Sequence, residues 1–152
     1  PVELWHAGQR LDSRTVRLGL RTFQAGPKGV RCNGRLLELR GRSVEGLDDE
    51  SALALRAEGI NLLVADAALS QVWEIADRVG FAVLGRIGGE SPAERAAHPS
   101  HLGWLVPDDR ALPAEGIVAV SPAHPAAGEA ALIVGDAPVA HAPGSGRIVV
   151  LS

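Results

Sequence analysis

The chain has 152 residues, enough for one domain with a real core, or one domain plus a strand borrowed from its neighbour. Its 46% hydrophobic and 22% charged content are ordinary for a globular protein, and a net charge of −3 with Lys28 as the sole lysine gives no basic stripe for nucleic acid. Cys32 is the one cysteine, which excludes an internal disulfide and a cysteine metal cluster, and no apolar run approaches the ~18 residues of a membrane span. The sequence opens on Pro1 and contains no Met, so a processed product or a segment excised from a longer polypeptide is expected.

Residues 1–30 show no helical periodicity, and within them Thr15 to Phe23 alternates loosely as a strand does. Asn33-Gly34 between two extended runs predicts a two-residue hairpin, because a type I′ turn needs positive φ at both positions. Leu36 to Ser43 reads as a strand. Asp48-Asp49-Glu50 then places acids where a helix dipole favours them, and the helix Ser51 to Glu58 is predicted with Leu53 and Leu55 inward and Gly59 closing it. Ile60 to Ala65 is almost wholly apolar, as a parallel strand buried on both faces must be.

Ser70 is placed to cap a helix that runs to Arg78, with Val72, Ile75, Ala76 and Val79 as its apolar stripe and Gly80 as its stop. Phe81 to Ile87 is the next strand. Ser91-Pro92-Ala93-Glu94 predicts a further helix start, and Leu102 to Val106 a further strand. Past Asp109 the alternation weakens. Ile117 to Val120 and Ala131 to Val134 are strand-like, the stretch between them is short for a helical crossover, and Val139 to Leu151 predicts a terminal hairpin. A full eightfold barrel takes ~250 residues. The expected architecture is therefore α/β: a partial, about half, TIM-barrel-like parallel sheet with flanking helices, preceded by a β-strand and hairpin and followed by irregular β structure. A flavodoxin-like open sheet would present the same local pattern.

Several segments, in order, resemble glycoside hydrolase family 2, the β-galactosidase and β-glucuronidase family. Arg17-Leu18-Gly19-Leu20-Arg21-Thr22-Phe23 looks like its Gly-Phe-Arg-Thr strand, which ends a β-sandwich domain. Cys32 to Gly41 is similar to its Asn-Gly hairpin and first barrel strand, Gly59-Ile60-Asn61-Leu62-Leu63 to its second strand, and Trp73 to Leu84 to the helix and strand that follow. His98-Pro99-Ser100-His101-Leu102-Gly103-Trp104 then stands in register with its His-Pro-Ser…Trp segment, whose closing Asn-Glu is here Asp108-Asp109. The resemblance implies that residues 1–30 end a β-sandwich domain and that residues 31–152 are a truncated glycosidase-like barrel, carried with other domains of a parent polypeptide.

It also implies a degenerate site. Asp109 occupies the acid/base position but is one methylene shorter than Glu, and a displacement of ~1 Å costs on the order of 100-fold in rate. Asp108 replaces an amide that would hold the sugar. A retaining glycosidase needs a second carboxyl group about 5–5.5 Å away. Beyond Asp109 the glutamates are Glu115 and Glu129, both ahead of predicted strands and so at the wrong end. Other family positions align with Ser43, Glu45, Val64 and Ala67, none of which keeps the expected residue.

Strand ends facing the reactive side of such a sheet carry Arg42, Glu45, Asp66, Arg86, Glu90, Asp108, Asp109, His124 and Asp136, a mixture compatible with a carbohydrate-lined cleft and equally with solvated loops. Of these, Glu45, Asp66, Glu90 and Asp108, with Trp104, form the expected sugar-binding set, and Asp109 is the degenerate acid/base. The histidines show no metal spacing, the Gly85 to Gly89 run has no phosphate-loop lysine, and no serine sits in a Gly-x-Ser-x-Gly elbow, so neither metal nor cofactor is expected. The reading is a catalytically inactive glycosidase-like domain with a structural or carbohydrate-binding role. The rival is a weak hydrolase whose nucleophile comes from a partner or another segment. A third is an interaction module whose open strand edge pairs with a second copy.

Overall fold

Turn chemistry organises the first part of the chain. A computed structural model describes residues 2–14, 20–26, 29–88, 93–107, 117–120, 132–135 and 147–150. β1 (Val2–His6) and β2 (Gln9–Arg14) form an antiparallel hairpin whose turn residues, Ala7 and Gly8, have φ of 47° and 79°. No hairpin is expected from the sequence here, because Ala seldom adopts positive φ and gives no turn signal. The strand predicted over Thr15 to Phe23 is corrected. Its first part lies outside the described residues, residues 20–22 are not extended strand, and β3 (Phe23–Gly26) begins only at Phe23.

β3, β4 (Gly29–Cys32) and β5 (Arg35–Leu36) make an antiparallel sheet, with the predicted Asn33-Gly34 turn at φ 50° and 79°. The Asn33 side chain does more than tolerate that conformation. Its Oδ1 accepts from the Thr22 N–H at 2.8 Å and its Nδ2 donates to the Leu20 carbonyl at 2.9 Å, fastening the incoming chain to the turn.

The main sheet comprises β6 (Gly41–Ser43), β7 (Leu62–Asp66), β8 (Ala82–Arg86), β9 (His101–Val106), β10 (Val118–Val120), β11 (Leu132–Gly135) and β12 (Arg147–Val150). Every neighbouring pair is parallel, and the order across the sheet is the order in the chain. A doubly wound sheet reverses its strand order at a switch point. This one does not, which makes it a partial TIM-barrel-like sheet and removes the flavodoxin-like alternative. The first arm of the predicted terminal hairpin lies outside the described residues, and β12, in its second arm, lies parallel to β11. The strand predicted over Leu36 to Ser43 is interrupted at 37–40, where the Asn61 side chain accepts from the Arg40 N–H and donates to the Glu38 carbonyl.

Helices α1 (Asp49–Ala57), α2 (Ser70–Val79) and the short α3 (Ala93–Ala96) join the strands. Asp48 caps α1 by accepting from the Ser51 N–H at 2.7 Å. Its inward face differs from expectation: Ala52 is fully buried and Leu55 half-buried, while Leu53 is 63% exposed. A small residue lets this helix lie close to the sheet, and the larger leucine faces out. α2 carries the predicted buried stripe and ends on Gly80 at φ 97°, but Ser70 is its first helical residue and Leu69, with no side-chain bond, its cap.

Strand alternation divides the core in two. Leu63, Ala65 and Val83 face the helices with Ala52, Val72, Trp73, Ile75 and Phe81. Leu62, Val64, Ala82, Leu84, Leu102, Ala119 and Leu132 form the opposite, inner face, to which β4 adds the buried Val30. Truncating one of the larger of these side chains to Ala costs about 2–5 kcal/mol. The two faces define the two ends at which polar residues collect.

Candidate functional site

Register brings three polar side chains to the C-terminal edge of the inner face. Ser43 pairs with Val64, and Asp66 with Arg86, so alternation puts Ser43, Asp66 and Arg86 on the same side as Leu62, Val64 and Leu84. This is the edge at which parallel α/β folds place their chemistry. The Arg86 guanidinium reaches from β8 across β7 and donates to the Ser43 hydroxyl. Asp66 is exposed, and its Oδ1 accepts from the Ala68 N–H at 2.7 Å, so one carboxylate oxygen shapes the loop that leads into α2.

Glu45 is exposed in the loop between β6 and α1. Arg42 belongs to the helix side of the sheet and meets Glu58 at 3.1 Å. Glu90, Asp108 and Asp109 lie outside the described residues, as do His124, Asp136, Glu115 and Glu129. Of the expected sugar-binding set, then, Asp66 is brought beside Arg86 and Ser43, and Glu45 follows in the adjoining loop. Among the described residues no group of three or more His, Cys, Asp and Glu is arranged for a metal ion.

Trp104 occupies a different place from the one its motif suggests. It is 7% exposed and lies on the helix side, its ring 4.7 Å from His101 and 6.3 Å from Trp73 between centroids. Gly85 makes this possible: a Cβ there would stand 2.5 Å from the Trp104 ring and 3.1 Å from Trp73. A ring buried among these neighbours packs in the core.

The His98-Pro99-Ser100 turn is held by Asp77 on α2, a residue the sequence reading passed over. Asp77 is 2% exposed at its side chain, and its two oxygens accept from His98 Nδ1 at 2.8 Å and from the Ser100 N–H at 2.9 Å. A signal existed in the sequence. Asp77 follows Trp73 by one helical turn, so an acid falls beside the most buried ring of α2. His101, next along, has its pKa pushed below the ordinary histidine value, chiefly by burial and secondarily by the charge of His98. Its Nε2, the Ser100 hydroxyl and the Trp73 indole N–H are buried without hydrogen-bond partners among the described residues.

All of this precedes or opens β9, at the N-terminal end of the strand, where barrel residues serve stability. Arg21 acts in the same way, donating from Nη1 to the Phe81 carbonyl at 3.0 Å. Asn33, Asn61, Asp77, His98, Ser100 and Arg21 thus all tie separate elements together.

No protein-family model matches the chain, and no curated protein does. Among solved structures, the β-glucuronidase of Parabacteroides merdae shares its fold, with a TM-score of 0.52 at 15% identity over 70% of this chain. The likeness covers 18% of that enzyme's length, so this chain corresponds to a small part of it. The fold is glycoside-hydrolase-like.

Proposed function

We propose that this chain is a glycoside-hydrolase-like domain that no longer cleaves glycosidic bonds and has a structural or carbohydrate-binding role within a larger protein. Residues 31–152 are the barrel-like part, and residues 1–30 end a preceding β domain. The observation that carries this reading is the division of labour between the two ends of the sheet. The residues through which the chain resembles the hydrolases, Arg21, Asn33, Asn61, His98 and Ser100, all bond across elements and hold the scaffold. At the opposite edge stand Ser43, Asp66 and Arg86, a hydroxyl, a carboxylate and a guanidinium on one face.

Such a set exchanges hydrogen bonds with sugar hydroxyls without needing a nucleophile. Glu45, in the adjoining loop, is assigned to the same site, as are Asp108 and Asp109 on the family resemblance. The test is a glycan array and a thermal-shift screen against β-linked sugars, run on the chain and on Asp66→Ala and Arg86→Ala. Binding that either substitution weakens supports the carbohydrate role. Stabilisation by no sugar leaves the structural role alone. Turnover of a β-glycoside that Asp109→Ala abolishes would replace the proposal with a hydrolase.

A further inference from the structure

The end of the sheet opposite Asp66 and Arg86 has a cavity of its own. A cleft of about 520 Å³ opens there between Arg21, Phe23, His98, His101, Leu102 and Ile117. Arg21 also borders a second cleft of about 370 Å³, which Arg56 and Asn61 help to line. Neither has a carboxylate among its described lining residues, although acids outnumber arginine and lysine 18 to 15 in the chain. The acid bonded nearest, Asp77, is 2% exposed and directed at His98 and the Ser100 N–H.

This lining has a definite chemical preference. Arg21 is the one arginine or lysine among the described lining residues of the larger cleft, and with no carboxylate there to offset it, its field favours an anion. Arg21 is exposed and engages one carbonyl through Nη1, while a guanidinium carries five N–H donors in a fork matched to carboxylate and phosphate oxygens. Phe23, Leu102 and Ile117 supply an apolar wall, and the volume suits a compact molecule.

We infer that this cleft binds a small organic anion, a carboxylate or phosphate group on a compact apolar body. The anionic group sits on the Arg21 guanidinium and the body lies against Phe23, Leu102 and Ile117. This site is distinct from the C-terminal edge and stands whether or not that edge holds a sugar.

Isothermal titration of the full chain with benzoate and phenyl phosphate tests it, with benzyl alcohol as the uncharged counterpart and inorganic phosphate as the anion without a body. Both aromatic anions are expected to bind at millimolar concentration or below, more tightly than inorganic phosphate, and benzyl alcohol not at all. Arg21→Gln is expected to weaken binding about tenfold to a hundredfold. Because Arg21 also bonds Phe81, a second variant is needed that leaves the scaffold alone. Ala97 is exposed on the rim of the cleft, so Ala97→Glu keeps the fold and the melting temperature while lowering anion affinity on the order of tenfold. Absence of binding by both aromatic anions, equal binding of benzyl alcohol, or unchanged affinity in Ala97→Glu would overturn the inference.

Discussion

Asp77→Ala is the most informative single substitution in this chain. It removes a side chain that is 2% exposed and that bonds His98 Nδ1 at 2.8 Å and the Ser100 N–H at 2.9 Å. Ser100 is fully buried, so its N–H loses its acceptor with no water to replace it. A bond to a charged group is worth about 1.5–3 kcal/mol, and an orphaned buried donor adds about 1–3 kcal/mol. His98 keeps part of its solvation, its side chain being 19% exposed, which holds the sum toward the lower end. The expected loss is about 3–5 kcal/mol, a large fraction of the roughly 5–15 kcal/mol that stabilises a typical domain.

For a chain of this size that corresponds to a fall of roughly 6–20 °C in melting temperature. Urea denaturation followed by circular dichroism measures it, with Asp66→Ala as the comparison. Asp66 also accepts a backbone N–H, at 2.7 Å, but on an exposed loop, and its removal is expected to cost about 1 kcal/mol or less. A double-mutant cycle of Asp77→Ala with His98→Ala should show coupling of at least about 0.5 kcal/mol. If Asp77→Ala unfolds at the same urea concentration as the parent chain, the fastening role assigned to the His98-Pro99-Ser100 turn is wrong.

Three further outcomes are expected. Burial depresses the His101 pKa in the folded chain, so between that value and the ordinary value near 6.5 the unfolded chain holds the extra proton. The His101 contribution is therefore complete above about pH 6.5 and declines as pH falls below it; His101→Phe should flatten that slope in denaturation curves taken from pH 7.5 to 5. Gly85→Ala forces a methyl against the enclosed rings of Trp104 and Trp73 and should destabilise by about 1–3 kcal/mol, with a changed near-ultraviolet signal from the tryptophans. Gly103→Ala should be worse, since the added carbon meets the Ile117 carbonyl, backbone that accepts from the Trp104 N–H and joins β9 to β10; hydrogen exchange at Trp104 reads the loss.

The parts of the fold legible in the sequence are those set by local rules. The apolar run through Leu62 to Ala65, the stripe of α2, the Gly80 stop and the Asn33-Gly34 turn each depend on residues within a few positions of one another. The first hairpin was illegible because Ala7 adopts positive φ without being a turn former. The inward face of α1 is not legible from its leucines, because the close approach of the helix to the sheet selects Ala52 and leaves Leu53 exposed. The residues of the C-terminal edge are legible in the sequence, but their pairings are not, for a related reason. Asp77 and His98 are 21 residues apart, and Arg86 and Ser43 are 43 apart, so only the assembled sheet joins them. For Trp104 the sequence leaves sugar stacking and packing both open, and its burial beside Gly85 and Trp73 favours packing.

The proposed function is a glycoside-hydrolase-like scaffold without hydrolytic chemistry. The most direct measurement is release of nitrophenol from aryl β-glucuronides and β-galactosides by the full chain beside its Asp109→Ala variant. No release above buffer is expected from either. Turnover by the parent chain that disappears in Asp109→Ala would contradict it.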